Sequence, residues 1–342
     1  MTLTVLVTGA SGFVGSKLVP ELLAHGHRVR AMTRRPQQYS GAGEPVAGDV
    51  GDPASLRAAL EGVDVAYYLV HSLGLDDFVE RDAAAARNFA AAAAGARTKR
   101  IVYLGGLGAD GDALSDHLRS RREVEEILTA GPVPVTTLRA AVIVGHGGIS
   151  WEITRQLVDH LPALITPQWV TTRTQPVALP DMLRYLRAAA ESEAAAGRVY
   201  EVGGPDVLSF ADMLQRVAKL RGKYLPNVTV PLLTPRLSSM WLSLVTDVDI
   251  PTARNLVDSL SAETVVREHP VAELVPGPAL GYDDAVRLAL AERAAELAER
   301  EAERTATAAA EAAEAAETAR RAAGDAREHV REVRTELGVG TR

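Results

Sequence analysis

An α/β fold built on a doubly wound parallel sheet is predicted by two observations. Short apolar runs alternate with helix-periodic stretches from the amino terminus onward, and a glycine-spaced turn lies between the first run and the first helix. The first run is Thr4-Val-Leu-Val-Thr8, followed by a helix over Ser16 to His25 and a strand over Val29 to Met32. A third strand precedes Asp49, a helix covers Leu56 to Leu60, and a strand covers Val63 to Val70. The Ala-rich stretch Asp82 to Ala94 reads as a helix, Ile101 to Leu104 as a buried strand, Leu118 to Leu128 as a helix and Val135 to Val144 as the next strand. Right-handed crossovers place the carboxyl ends of such strands along one edge, where ligands collect.

Beyond Gly145 the rhythm changes. Helices are expected over Ile149 to Leu161, over Asp181 to Ala190 and from Ser209, with a strand over Val199 to Val202. Residues 1–145 are read as the sheet domain, interwoven with a smaller substrate lobe over 146–283. The Pro-broken apolar segment Pro231 to Pro251 covers a core or walls a pocket. From residue 284 to 342 the composition turns to Ala, Glu and Arg, with Gly324 as a weak break. This tail reads as a long exposed helix whose apolar stripe, Val286, Leu290 and Leu297, fades into alanines. A homo-oligomer or partner contact through that alanine face is the alternative to a solvated helix.

Composition narrows the function classes. The chain has 342 residues, 47% of them hydrophobic and 24% charged, as ordinary globular proteins do. A net charge of -7 supplies no broad positive field, so nucleic acid is not an expected partner; a small molecule is. No cysteine is present, which excludes disulfides and thiolate chemistry, and the eight histidines lack metal-ligand spacing, so no metal site is expected. Thr2 to Thr8 is strand-like rather than a signal peptide, and no apolar run reaches the eighteen residues or so that span a bilayer; a cytoplasmic protein without membrane insertion is the expectation.

The glycine pattern Thr8-Gly9-Ala10-Ser11-Gly12-Phe13-Val14-Gly15 follows a strand and opens a helix, the context of a Rossmann-type dinucleotide site. Gly9 allows the tight turn, Gly12 admits the pyrophosphate to the main chain, and Gly15 lets helix and strand pack closely, with helix N–H groups facing the anion. The second strand ends in Thr33-Arg34-Arg35 rather than in an acid. Two guanidiniums and a hydroxyl suit a 2′-phosphate, so NADP(H) is favoured over NAD(H). Asp49 is placed either to meet the adenine amino group or to cap the helix near Pro53, and Val50, Leu69, Val70 and Gly105 border the same edge.

With these residues in view, the chain resembles an atypical member of the short-chain dehydrogenase/reductase superfamily, of the extended, epimerase-like branch, from Thr4 to about Leu260. The carriers are the glycine loop, Gly48-Asp49-Val50, Tyr67 to Ser72, Val102 to Gly106, Leu138-Arg139 with Gly145, Gln175 to Asp181 and Tyr200 to Pro205. The segment Leu233 to Ser239 is similar to a subgroup known only as NAD(P)H-binding. The family's Tyr-x-x-x-Lys pair falls here on His117-Leu-Arg-Ser-Arg121, and its strand-five Ser or Thr on Gly105-Gly106. The resemblance therefore implies His117 as a near-neutral general acid and Arg121 as the cation that holds ribose and stabilises developing charge, or else two helix-surface residues outside catalysis. His71 is a second candidate acid, and Tyr103 belongs to the core. Trp151, Trp169, Trp241 and Met240 are core fillers or point to a lipophilic substrate, and Arg173 and Arg236 are candidate anion contacts or surface ion-pair partners.

The expected function is NADPH-dependent reduction of a small carbonyl or conjugated compound. A non-catalytic NADP(H) sensor is the alternative that the missing Tyr, Lys and Ser favour, and a nucleotide-sugar epimerase is a third.

Overall fold

The computed structural model describes residues 1–72, 75, 77–108, 114–166, 171–229 and 262–337. The chain divides into two compact units, Met1–Ala289 and Leu290–Arg342. Within the first lies a seven-stranded, all-parallel sheet of order β11-β6-β5-β4-β1-β2-β3. Its strands are β1 (Thr4–Val7), β2 (Arg28–Thr33), β3 (Glu44–Ala47), β4 (Val65–Tyr68), β5 (Arg100–Gly106), β6 (Val135–Ala140) and β11 (Val199–Val202).

Side-chain alternation in β1 feeds both faces of the sheet. Val5 and Val7 join a core with Leu18, Val19 and Leu22 of α1 (Gly15–Ala24) and Met182, Tyr185 and Leu186 of α6 (Leu179–Glu191). Leu6 points into a second core with Leu56 and Leu60 of α2 (Pro53–Leu60), Phe89 and Ala93 of α3 (Phe78–Gly95), and Val124 and Leu128 of α4 (Asp116–Thr129). Burial on both faces makes these strands continuous apolar runs, as a parallel sheet requires. Strand order reverses between β1 and β4: β2 and β3 extend to one side, β4, β5, β6 and β11 to the other. The loops leaving β1 and β4 therefore diverge and open a crevice at that edge.

The expected elements appear with shifted ends, and one reading is corrected. The run Val135 to Val144 is not one strand: β6 ends at Ala140, and β7 (Ile143–Val144) pairs instead with β10 (Val177–Ala178). Leu138 and Val144 are both buried, so hydrophobicity runs unbroken through the bend that separates them. Four further short strands, β8 (Leu164–Thr166), β9 (Arg173–Thr174), β12 (Leu208–Ser209) and β13 (Asn227–Thr229), pair outside the large sheet. Helices α5 (Ile149–His160) and α7 (Phe210–Leu220) complete this region, and α7 opens on a reciprocal cap between Ser209 and Asp212. Trp169, Arg236, Met240, Trp241 and the segment Pro231 to Pro251 lie outside the described residues.

The C-terminal helix runs from Tyr282 to Glu336. Tyr282, Ala285, Val286 and Ala289 are buried, and every side chain from 297 to 337 is exposed. Gly324, expected to weaken the helix, does not interrupt it. No helix among the described residues is long and apolar enough to cross a membrane.

The tightest packing in the sheet domain is at Gly15. A Cβ there would stand 2.2 Å from the Gly9 carbonyl oxygen and 2.9 Å from Ala10 Cα, both main-chain atoms that cannot step aside. Gly15→Ala is expected to cost about 2–4 kcal/mol, whereas Gly95→Ala, which meets nothing within 4 Å, is expected to be near neutral; thermal unfolding of both variants checks the contrast.

Candidate functional site

The first turn is built to leave main-chain donors for a ligand. Gly9 sits at φ +63, where a side chain would be strained and would press within 3.2 Å of the Leu69 carbonyl. The turn closes on itself through Gly12 N–H to the Gly9 carbonyl at 2.9 Å and Ser16 N–H to the Gly12 carbonyl at 2.9 Å. No side chain caps α1 and no acid stands in its first turn. Its positive end is thus uncompensated by the protein, which suits a diphosphate. Thr8 Oγ1 accepts a hydrogen bond from Leu69 N–H at 2.9 Å, tying the β1 loop to the β4 loop across the crevice.

The crevice is a cleft of about 1020 Å³ lined by Gly9, Ala10 and Ser11, by Met32 to Arg35, by Gly48 to Gly51, and by Val70 to Ser72. Thr33, Arg34, Arg35, Asp49, Val50, Val70 and His71, which the sequence singles out separately, all meet there. Arg34 and Arg35 are exposed and make no ion pair among the described residues; Arg35 reaches only Gln38 Oε1, at 3.5 Å. Thr33 Oγ1 accepts from Arg35 N–H, which orders the loop. Asp49 does not cap α2, because Asp52 does so, accepting from Ala54 and Ser55 N–H. Asp49 instead accepts from Gly51 N–H at 2.8 Å and keeps its place on the cleft wall.

The side chains of Phe13 and Val14, candidate cofactor contacts in the glycine turn, also serve packing. The Phe13 ring fills the space that side chains at Gly145 and Gly148 would occupy, at 3.3 and 2.6 Å from their ideal Cβ positions, and so joins the glycine turn to the loop before α5. Val14 and Leu69 pack against the first core and Val50 and Val70 against the second.

At the other side of the β4 loop, the Arg121 charge acts on both His71 and His117. The Arg121 guanidinium first, then loss of water around the ring, and then His117 hold His71, which lines the cleft, well below the ordinary histidine pKa. Loss of water around half-buried His117, with Arg121 beside it, pushes that imidazole down to about 3. His117 is thus neutral at ordinary pH, first because burial opposes its charge and then because a fixed cation one helical turn away adds to that opposition. The glycines in place of the family's strand-five hydroxyl have a packing cause. A Cβ on Gly106 would meet Leu118 Cδ2 at 2.8 Å and Arg121 Cγ at 3.6 Å, so the side chains of α4 pack against β5 at this position. Tyr103 is fully buried, donates to the Arg121 carbonyl at 3.0 Å and lies 6.1 Å from the Tyr68 ring.

The residue that sequence reasoning missed is Asp82. It stands in α3, is 6% exposed, lines the cleft and accepts Ser72 N–H at 2.9 Å, which anchors the His71 loop. Burial holds its carboxyl above the usual range against the pull of Ser72 and Arg121. A polar residue opening an Ala-rich helix looks in sequence like a solvated first turn, so no local signal marks it. Arg173 pairs with Glu263 at 2.9 Å, and Trp151 is buried in α5.

Comparisons with known proteins agree with this geometry. A family profile described as NAD(P)H-binding matches residues 9–159. The (4-alkanoyl-5-oxo-2,5-dihydrofuran-3-yl)methyl phosphate reductase of Streptomyces griseus is 30% identical over 231 residues, covering 64% of this chain and 74% of that protein. The ceramide reductase of Caulobacter vibrioides is 32% identical over 169 residues, and the match spans 47% of this chain and only 52% of that enzyme. Among solved structures, the NADPH complex of the NADPH-dependent quinone oxidoreductase from Escherichia coli shares the fold, with a TM-score of 0.68 at 21% identity over 83% of this chain and 98% of that one.

The depressed histidines have a measurable consequence. In the unfolded chain they titrate near about 6.5. Between that value and about 3 the unfolded state binds more protons at His117 than the folded one, so the stability due to neutral His117 is present above pH 6.5 or so and is lost as pH falls. The melting temperature is expected to drop between about pH 7.5 and 5, and His117→Gln is expected to flatten the drop; calorimetric scans at several pH values test this.

Proposed function

Since the chain belongs to the NAD(P)H-binding, epimerase-like branch of the atypical short-chain dehydrogenases/reductases, we propose that it is an NADPH-dependent reductase of a small carbonyl or conjugated substrate. One observation carries the reading: an uncapped helix and a glycine turn open onto a cleft that has Arg34 and Arg35, without an ion pair among the described residues, on one wall and the His71 loop on another. The names of two relatives, a furanone phosphate reductase and a ceramide reductase, support the reaction class.

In this reading the main chain at Gly9, Gly12 and Gly15, with Ser11 and the start of α1, holds the diphosphate. Thr33, Arg34 and Arg35 hold the 2′-phosphate through charge-assisted hydrogen bonds that a 2′-hydroxyl cannot match. Asp49 and Val50 border the adenine, while Leu69, Val70 and Gly105 shape the floor. When bound, the nicotinamide supplies a hydride to an electrophilic substrate carbon. Arg121 stabilises the negative charge that appears on the substrate oxygen, and it also takes the ribose-holding place of the family's lysine. The proton that completes reduction comes from His117 or His71, once the charge developing beside Arg121 has raised their affinity for it.

A second reading, a non-catalytic NADP(H) sensor, is favoured by one observation: Tyr103, the tyrosine on β5, is sealed in the core with its hydroxyl donated to the Arg121 carbonyl. A partner whose binding differs between NADP+ and NADPH would support it.

Two measurements test the proposal. Calorimetry is expected to show NADPH binding at least about tenfold more tightly than NADH, with Arg34→Asp plus Arg35→Ala narrowing or reversing the gap. Equal affinities in the unaltered protein would refute the 2′-phosphate assignment. Nicotinamide absorbance is expected to fall with some member of a carbonyl, enone and quinone panel, and Arg121→Met is expected to lower kcat by about 10²-fold or more; bound NADPH that no member oxidises would remove the reductase reading.

A further inference from the structure

The second unit, Leu290–Arg342, consists over its described residues of the distal part of the C-terminal helix, and from 297 to 337 every side chain there is exposed. Its sequence is nonetheless patterned. From Ala291 to Leu337 one seam repeats at alternating steps of four and three residues, and every position on it is alanine except Thr305 and the closing Val330, Val333 and Leu337. A seam of this period is the one along which helices supercoil, and at about 1.5 Å per residue it is about 70 Å long.

Charge is arranged about the seam. With Ala291 as a d position of the heptad, the flanking e positions carry Glu292 and Glu299 at the amino end, Arg320, Arg327 and Arg334 at the carboxyl end, and alanines between. None of these charged residues makes an ion pair among the described residues, whereas the pairs Glu296 with Arg300 and Glu317 with Arg321 lie on the outer b and f positions, away from the seam.

We propose that this seam is the interface of an antiparallel helix pair formed by two copies of the chain. In an antiparallel pair the e positions of one helix face those of the other. Glu292 then stands beside the partner's Arg334 and Glu299 beside the partner's Arg327; both pairs are symmetric about Ala313, so a single twofold axis there satisfies them and repeats each one. A parallel pair sets each e position against the partner's g position five residues earlier, which for Glu299, Arg320 and Arg327 is Ala294, Ala315 and Ala322. It offers those charges no counterion. Antiparallel packing also lays the positive end of each helix beside the negative end of the other. Exposed ion pairs are individually weak, so they choose the orientation while the seam supplies the affinity. Each alanine layer buries little apolar area, but small side chains let the axes approach to the near end of the usual range of about 8–10 Å, and the layers repeat along the whole seam. The larger Val330, Val333 and Leu337 reach the partner's amino end, where the seam holds only alanine, so large residues meet small ones.

The test uses the whole chain. Sedimentation equilibrium over a range of concentrations is expected to show twice the mass of one chain at the upper end. Ala309→Lys with Ala316→Lys, which puts charge into the seam while keeping good helix formers, is expected to return the protein to the monomer and to leave NADPH affinity unchanged, because the cleft lies in the other unit. Arg327→Glu with Arg334→Glu is expected to weaken association about tenfold, and adding Glu292→Arg with Glu299→Arg to restore it. Since the chain has no cysteine, a single introduced thiol reports the orientation. Ala313→Cys is expected to be bridged between chains by a short bis-maleimide reagent, and Val330→Cys is not, because antiparallel pairing holds the two copies of that site far apart. A monomer at every concentration would leave the seam to some other chain and overturn self-pairing. A dimer that survives the seam lysines, or bridging at Val330→Cys, would overturn it as well. Turnover enters none of these measurements, so the outcome is independent of the reductase reading.

Discussion

The main-chain contact between the start of α1 and the end of β1 is the constraint on which the rest depends. The helix crosses so near the turn that a Cβ on Gly15 would be pressed against main-chain atoms of Gly9 and Ala10, at distances no side chain survives. That closeness aims the helix's free N–H groups at the crevice rather than along the sheet. It also leaves the Leu69 to Ser72 loop near enough to be tied by Thr8. Loosening the contact would tilt the helix and misplace every donor at the diphosphate position together, because they are held by a single rigid element.

A second close approach shapes the chemistry at the far side of the β4 loop. Gly106 lets the Leu118 and Arg121 side chains pack against β5 at the strand-five position. The family's hydroxyl, tyrosine and lysine are thus replaced together by a glycine pair, a histidine and an arginine. The replacement is not a like-for-like exchange of proton donors. A lysine beside a tyrosine lowers the phenol's pKa and makes a better acid of it at neutral pH, whereas burial, with an arginine alongside, lowers the affinity of a histidine for its proton.

Asp82 shows how a polar group is kept in such a site. Its carboxyl is buried, which is costly, yet it is stabilised by the amide of Ser72 and by the field of Arg121. In return it fixes the loop that carries His71. Charge balance at this end is consequently spread over α3, α4 and the β4 loop, elements joined by the second core rather than by sequence proximity.

The order of strands and helices, the glycine turn, the Thr33 to Arg35 corner and the vacancy at the Tyr-x-x-x-Lys position were legible in the residues alone, because each is a local pattern: periodicity of burial, spacing of glycines, a residue type at a strand end. What the residues could not disclose depends on distance across the fold. The bend between Ala140 and Ile143 is hidden because both flanks are apolar, and the packing role of Phe13 needs Gly145 and Gly148 beside it. The proton affinity of His117 is the clearest case. Its sequence neighbours predict a near-neutral imidazole, and only the folded chain, by removing water from it and holding the Arg121 charge against it, makes the neutral form prevail. Ionisation is set by solvent access and by charges in space, neither of which is a property of a linear string.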